Sequence, residues 1–244
     1  IFDFLPAESM NDALGEMRLA VDTVFRTPTL KFLFVGGALV AFGMNGLVGW
    51  APTFMARTHG MSLAEGTLLL GKWGLLAGTA GTLAGGFLAD WLGRYTGRSR
   101  MIVSTLGLLL GGPLGLWLLA VRDMSLFVPV FAAAFFFLTL YNGPVIAAVF
   151  DVVPARIGAT VRGAYVLFIH VAGDAIALPL VGFLSDRFGI ARAIFILPVA
   201  SIAGGVVLFF GVRTVLRDIA FVAARTTATH PVVLAGPRGS GAAG

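Results

Sequence analysis

Cysteine is absent from the 244 residues, which excludes disulfides and thiolate metal sites. Histidine is nearly as scarce: His59, His170 and His230 stand far apart and form no HxxxH or HExxH spacing. Neither a metal nor any other cofactor is expected. Charge is sparse too. Only 12% of residues are Asp, Glu, Lys or Arg, against about 25% in soluble domains, so a water-soluble fold is excluded. No Gly-x-Ser-x-Gly or paired-aspartate motif is present, and an intramembrane enzyme, the rival class, lacks its machinery; no catalytic residue is assigned.

What is abundant is apolar. Hydrophobic residues make up 58% of the chain, gathered into runs near the roughly 20 residues that cross a bilayer core of about 30 Å. Six transmembrane helices are expected, over about 29–54, 62–88, 101–121, 126–150, 158–184 and 193–212. Ser62 with Glu65 makes a capping box at the start of the second. Ahead of the spans, Met10, Leu14, Met17, Val21 and Val24 fall at helical spacing opposite Asp12, Glu16, Arg18 and Asp22. That pattern fits an amphipathic helix on the membrane surface, the alternative being a soluble helix packed on a partner. The chain thus divides into an interfacial helix over 1–27, a six-helix bundle over 28–216 and a flexible Gly/Ala/Pro-rich tail over 217–244. It opens at Ile1 with no signal peptide and reads as cut from something longer.

The net charge of +5 marks topology rather than nucleic acid, because the arginines sit in short loops between apolar spans. One side collects Arg18, Arg26, Lys31, Arg94, Arg98, Arg100, Arg156, Arg162, Arg213, Arg217, Arg225 and Arg238. The other side holds Arg57, Arg122, Arg187 and Arg192. Cytoplasmic loops carry the excess, so both termini are expected in the cytoplasm of a multi-pass inner-membrane protein.

Gly86-Phe87-Leu88-Ala89-Asp90-Trp91-Leu92-Gly93 at the end of the second span repeats as Gly182-Phe183-Leu184-Ser185-Asp186-Arg187-Phe188-Gly189 at the end of the fifth. Three spans separate the copies, so they lie on opposite sides of the membrane. An odd offset inverts the repeat, and inverted three-helix repeats are a building plan of secondary transporters. In each copy glycine permits close helix approach, Asp90 or Asp186 accepts from backbone N–H groups, and Arg94 or Arg187 reaches a phosphate or carboxylate. Such contacts latch one conformational state.

Gly86 to Arg94 resembles the Gly-x-x-x-Asp-Arg-x-Gly-Arg loop motif of the major facilitator superfamily, with Trp91 replacing the usual arginine. Ile169-His170-Val171-Ala172-Gly173-Asp174-Ala175, followed by Pro179-Leu180-Val181-Gly182, resembles the eleventh helix of the Spinster branch, with Val171 and Ala172 as conservative departures. The resemblance implies half of a twelve-helix fold, completed by an N-terminal six-helix half. It implies as cargo a lysophospholipid or sphingoid phosphate, coupled to protons. A general exporter of drugs or organic solutes is the alternative.

Several polar residues lie at bilayer depth. His170 and Asp174, four apart, share a helix face. A carboxylate there costs about 2.5 to 3.5 kcal/mol to insert, so it is expected to face a polar cavity, as a proton-responsive or head-group-binding pair; a buried bond that fixes packing is the alternative. Lys72 binds an anionic head group or neutralises Asp174, or else it snorkels to the surface. Gly71, Gly74, Gly78, Gly81 and Gly85 form a packing stripe on the same helix. Asn45, Tyr141 and Asn142 are cavity-lining candidates, the last two beside an expected helix break.

Overall fold

The computed structural model describes the backbone of residues 7–229 and the side chains of residues 14–224. Among these residues every regular element is helical. Six helices are long and apolar enough to cross a membrane: Pro28–His59, Leu63–Gly93, Ser99–Ala120, Met124–Asp151, Ala155–Phe188 and Ile190–Ala224, the first to sixth spans below. Several outrun the apolar windows, because a helix ends at its cap and not at its last apolar residue. Gly60, with φ 69°, supplies the left-handed cap that stops the first span.

The starts are equally local. Ser62 Oγ accepts the Glu65 N–H at 3.2 Å while the Glu65 carboxylate accepts the Ser62 N–H at 2.8 Å, the reciprocal box expected. Asp123 caps the fourth span by accepting the Ser125 N–H at 2.9 Å, which holds its carboxyl below the usual carboxylate range. The fourth span breaks where anticipated: its first helix ends at Thr139 and its second begins at Asn142.

The N-terminal helix Ala7–Arg26 buries Ala20 against the bundle and leaves Met17, Val21 and Phe25 exposed. The C-terminal segment departs from its reading as a tail. The last helix continues from Ile196 to Thr229, and residues beyond 229 lie outside the described part. Asp218 shows what holds it: its buried carboxylate accepts the Thr29 N–H at 2.9 Å, satisfying an orphan donor at the positive end of the first span. Thr29 and Thr214 share a hydroxyl hydrogen bond of 2.7 Å beside it.

Glycine sets how closely the spans approach. A Cβ on Gly81 or Gly85 would collide with the carbonyl oxygens of Phe136 and Leu140, so the second and fourth spans meet backbone to backbone. Gly71 is the exception in the expected stripe, since nothing lies within 4 Å of its would-be Cβ.

The two motif copies sit at opposite ends of the bundle. Asp90 shares a pocket with Arg100, Asp151 and Ile219 at the end where Thr29 meets Asp218. Ser185 lies at the other end, receiving a hydrogen bond from Arg57 at 3.4 Å. Packing is uneven. The first, third, fourth and sixth spans bury 44 to 56% of their apolar windows, whereas the second and fifth bury only 17% each. Apolar helices with so little covered present a face to something other than this bundle.

Candidate functional site

The second and fifth spans share a further feature: each carries one π-helical turn, Leu70–Gly74 and His170–Asp174. Such turns are rare inside α-helices and gather at functional positions. Here they hold Lys72 in one and His170 with Asp174 in the other.

Gly173 presses onto the first span, where a Cβ would stand 2.7 Å from the Ala38 carbonyl oxygen and 3.0 Å from the Phe42 nitrogen. With Gly173 facing inward, His170 Nδ1 lies 2.7 Å from Asp174 Oδ2. The histidine side chain is 57% exposed and the aspartate 23%. The second carboxylate oxygen, Asp174 Oδ1, is buried and has no hydrogen-bond partner among the described residues. An unpaired buried carboxylate oxygen is costly. Tyr141 of the fourth span lies within electrostatic reach of Asp174, and Tyr165, one of the most deeply buried side chains, within reach of Tyr141. Sequence spacing pointed to Tyr141 but not to Tyr165, which nothing in its local pattern distinguishes from a core aromatic.

A groove of about 480 Å³ opens between the first, second and fourth spans. Met44, Val48, Leu70, Leu75, Leu83 and Phe135 are among its apolar wall residues, and Thr79, Thr82, Thr139 and Asn142 supply its polar points. Asn142 Nδ2 donates to Thr82 Oγ1 at 3.1 Å, so the helix break delivers an amide to the groove. Asn45 is exposed on the first span between the wall residues Met44 and Val48. Lys72 is exposed, its ammonium 5.1 Å from the centre of the neighbouring Trp73 ring. It forms no ion pair with Asp174 among the described residues, which removes the reading in which it neutralises that carboxylate within this bundle.

Gly86 and Gly93 flank an exposed Asp90, and neither Asp90 nor Arg94 has an ion-pair partner among the described residues. An ion pair at this end joins Arg100 of the third span to Asp151 at the end of the fourth. Asp151 carried no signal in the sequence, because a contact across 51 positions has no period to betray it. At the opposite end Arg187 lies over the Phe183 ring, 4.2 Å from its centre, and Asp186 is exposed. Both side chains of the Arg100–Asp151 pair are partly exposed, so a double-mutant cycle of Arg100→Gln and Asp151→Asn, read by thermal unfolding in detergent, is expected to return a coupling of about 1 kcal/mol. A coupling near zero counts against the pair as a fastening.

Comparison with known proteins gives this geometry a setting. The family model described as Major Facilitator Superfamily matches residues 7–177. A protein of Mycolicibacterium smegmatis described as an MFS-type efflux pump is 30% identical over 205 residues, covering 80% of this chain and 47% of that protein. Two crystal structures of a bacterial homolog of the human lysosomal transporter Spinster, both inward-facing, share the fold. The unoccupied one has a TM-score of 0.74 at 20% identity, covering 82% of this chain and 50% of that one. For the occupied one the TM-score is 0.72 at 20% identity, covering 80% and 51%. The chain therefore spans about half the length of these relatives.

Proposed function

Because the chain belongs to the major facilitator superfamily, a family of membrane transporters rather than enzymes, we propose that it works as the C-terminal half of a secondary transporter that moves an amphipathic, anionic, lipid-like solute by alternating access, coupled to protons. The observation that carries this reading is Asp174: a carboxylate at bilayer depth, paired on one oxygen with His170 and unpaired on the other. Such a group persists in lipid where water, a proton or a ligand reaches it.

The other half supplies the missing wall. The second and fifth spans expose the π-turns on the sparsely covered side of the bundle. An N-terminal six-span half packed there encloses Lys72, His170 and Asp174 together with the groove. The two halves then rock around that enclosed space, with Asp90 and Arg94 meeting the partner half at one end and Asp186 and Arg187 at the other. The basic end, which carries Arg26, Lys31, Arg98 and Arg217, faces the cytoplasm of an inner membrane and places both termini there.

The groove supports the choice of cargo. Its wall is apolar apart from a few hydroxyls and one amide, which suits an acyl body with a hydrogen-bonding head. Lys72 favours a phosphate on that head. A second reading, broad export of organic solutes, is favoured by the efflux-pump description of the mycobacterial relative. Uptake by proteoliposomes of the full-length protein separates the two. A lysophospholipid carried in response to an imposed pH gradient supports the first. Transport of unrelated dyes and drugs without any lysophospholipid transfer supports the second and overturns the first.

A further inference from the structure

A second groove, of about 660 Å³, lies between the N-terminal helix and the first and fifth spans. Val21 and Phe25 of the N-terminal helix line one side, Phe34 and Val35 of the first span another, and Leu167 and Val171 of the fifth span the third. Among the described residues that line it, Lys31 alone is polar. It is separate from the groove beside Asn142. Val35 and Met44 are nine positions apart in the first span, two and a half turns at about 3.6 residues each, so the two grooves open on opposite sides of that helix.

Its walls are apolar and uncovered. Val35, Leu167 and Val171 are 50, 66 and 60% exposed, a contiguous apolar surface of the kind that marks a binding face. Lys31 stands three residues past Pro28, where the first span begins, or about 5 Å along the helix axis. Near the end of a span phosphates meet acyl chains, and a lysine there lays its stem on apolar surface and its ammonium among the head groups. Lys31 is exposed and has no ion-pair partner among the described residues. On the N-terminal helix Asp22 is engaged by Arg26 at 2.7 Å. The groove thus offers a long apolar contact and one unanswered positive charge.

We propose that this groove binds an anionic phospholipid of the surrounding bilayer, with one acyl chain between the N-terminal helix and the two spans and the phosphate on Lys31. The charge selects an anionic lipid, because a zwitterionic head already carries a cation beside its phosphate, and basic pockets between membrane helices recognise anionic head groups. The volume selects a chain over a protein segment. It falls in the range of small-ligand pockets, and a helix about 10 Å across would fill it in less than two turns. The site is independent of the solute carried, since it lies across the first span from Thr79, Thr82 and Asn142. Val171 belongs to the same π-helical turn as His170 and Asp174, so the bound chain also touches that turn.

The test places the full-length transporter in phosphatidylcholine nanodiscs containing phosphatidylglycerol with a photoactivatable acyl chain, and maps the labelled peptides by mass spectrometry. Labelling is expected at Phe34 and Val35 and at Leu167 to Val171. Lys31→Gln is expected to lower it roughly fivefold, the worth of one basic residue at an anionic surface, and to leave labelling by photoactivatable phosphatidylcholine unchanged. Val35→Trp fills the groove from an exposed position and is expected to abolish labelling by both lipids while thermal unfolding stays at the parent value. Absence of label from both segments, as when the other half of the transporter covers this face, overturns the proposal. So does phosphatidylglycerol labelling that Lys31→Gln leaves unchanged, which marks an ordinary boundary lipid.

Discussion

Asp174→Asn is expected to reduce uptake driven by a pH gradient at least tenfold, about 1.4 kcal/mol of coupling, while leaving exchange of solute without a gradient near the parent rate. The asymmetry follows from what asparagine keeps and loses. It matches aspartate in size and still bonds His170, so the 2.7 Å contact across one helical turn survives. It cannot take up or release a proton, and the buried, unpartnered Oδ1 becomes part of a neutral amide. A carboxylate that only glued helices together would behave in the opposite way, because its neutral isostere would leave transport intact or slow both modes equally. Proteoliposomes with matched protein content measure both modes. Gradient-driven uptake unchanged in Asp174→Asn would remove this residue from the coupling step.

The second large effect is one of packing. Gly85→Leu is expected to destabilise the bundle by about 3 kcal/mol, at the upper end for overpacking, because its side chain would have to displace the Leu140 carbonyl of a neighbouring helix. A flexible side chain can turn aside, but backbone cannot move without breaking its own ladder. Gly81→Leu meets the Phe136 carbonyl and is expected to match it. Gly71→Leu is the control: open space surrounds that position, and the change is expected to stay within about 0.5 kcal/mol. Thermal unfolding of the three variants in detergent ranks them. A Gly71→Leu loss as large as that of Gly85→Leu would mean that the stripe is not read correctly from this packing.

That contrast shows where the sequence stopped being legible. The alternating three- and four-residue steps from Gly71 to Gly85 promise one smooth face, but period alone cannot say where the neighbouring helix ends. The neighbour is the fourth span, whose Phe135 to Leu140 region faces Gly74, Gly81 and Gly85 and not Gly71. The same limit governs the charges. His170 and Asp174 touch as their four-residue spacing implies, since a helix brings such residues onto one face whatever surrounds it. Arg100 and Asp151 meet as well, but through the packing of two different spans, and no spacing announces that.

Residues 217–229 carry the same lesson. Read alone they resemble the start of a loose tail, yet the helix continues to Thr229, and Asp218 is buried because the Thr29 amide, at the far end of the chain, needs an acceptor. Local composition is blind to a partner so distant.

Six spans, the capping box at Ser62, the helix break before Asn142 and the inverted copies of Gly-Phe-Leu-x-Asp-x-x-Gly were settled by the sequence itself, because hydropathy, caps and repeats act over a few residues or by simple counting. Which glycines touch backbone, which charge finds which partner, and that one oxygen of Asp174 is left without any, only the tertiary structure decided. Those outcomes depend on where two helices cross, and a crossing is a property of both surfaces together.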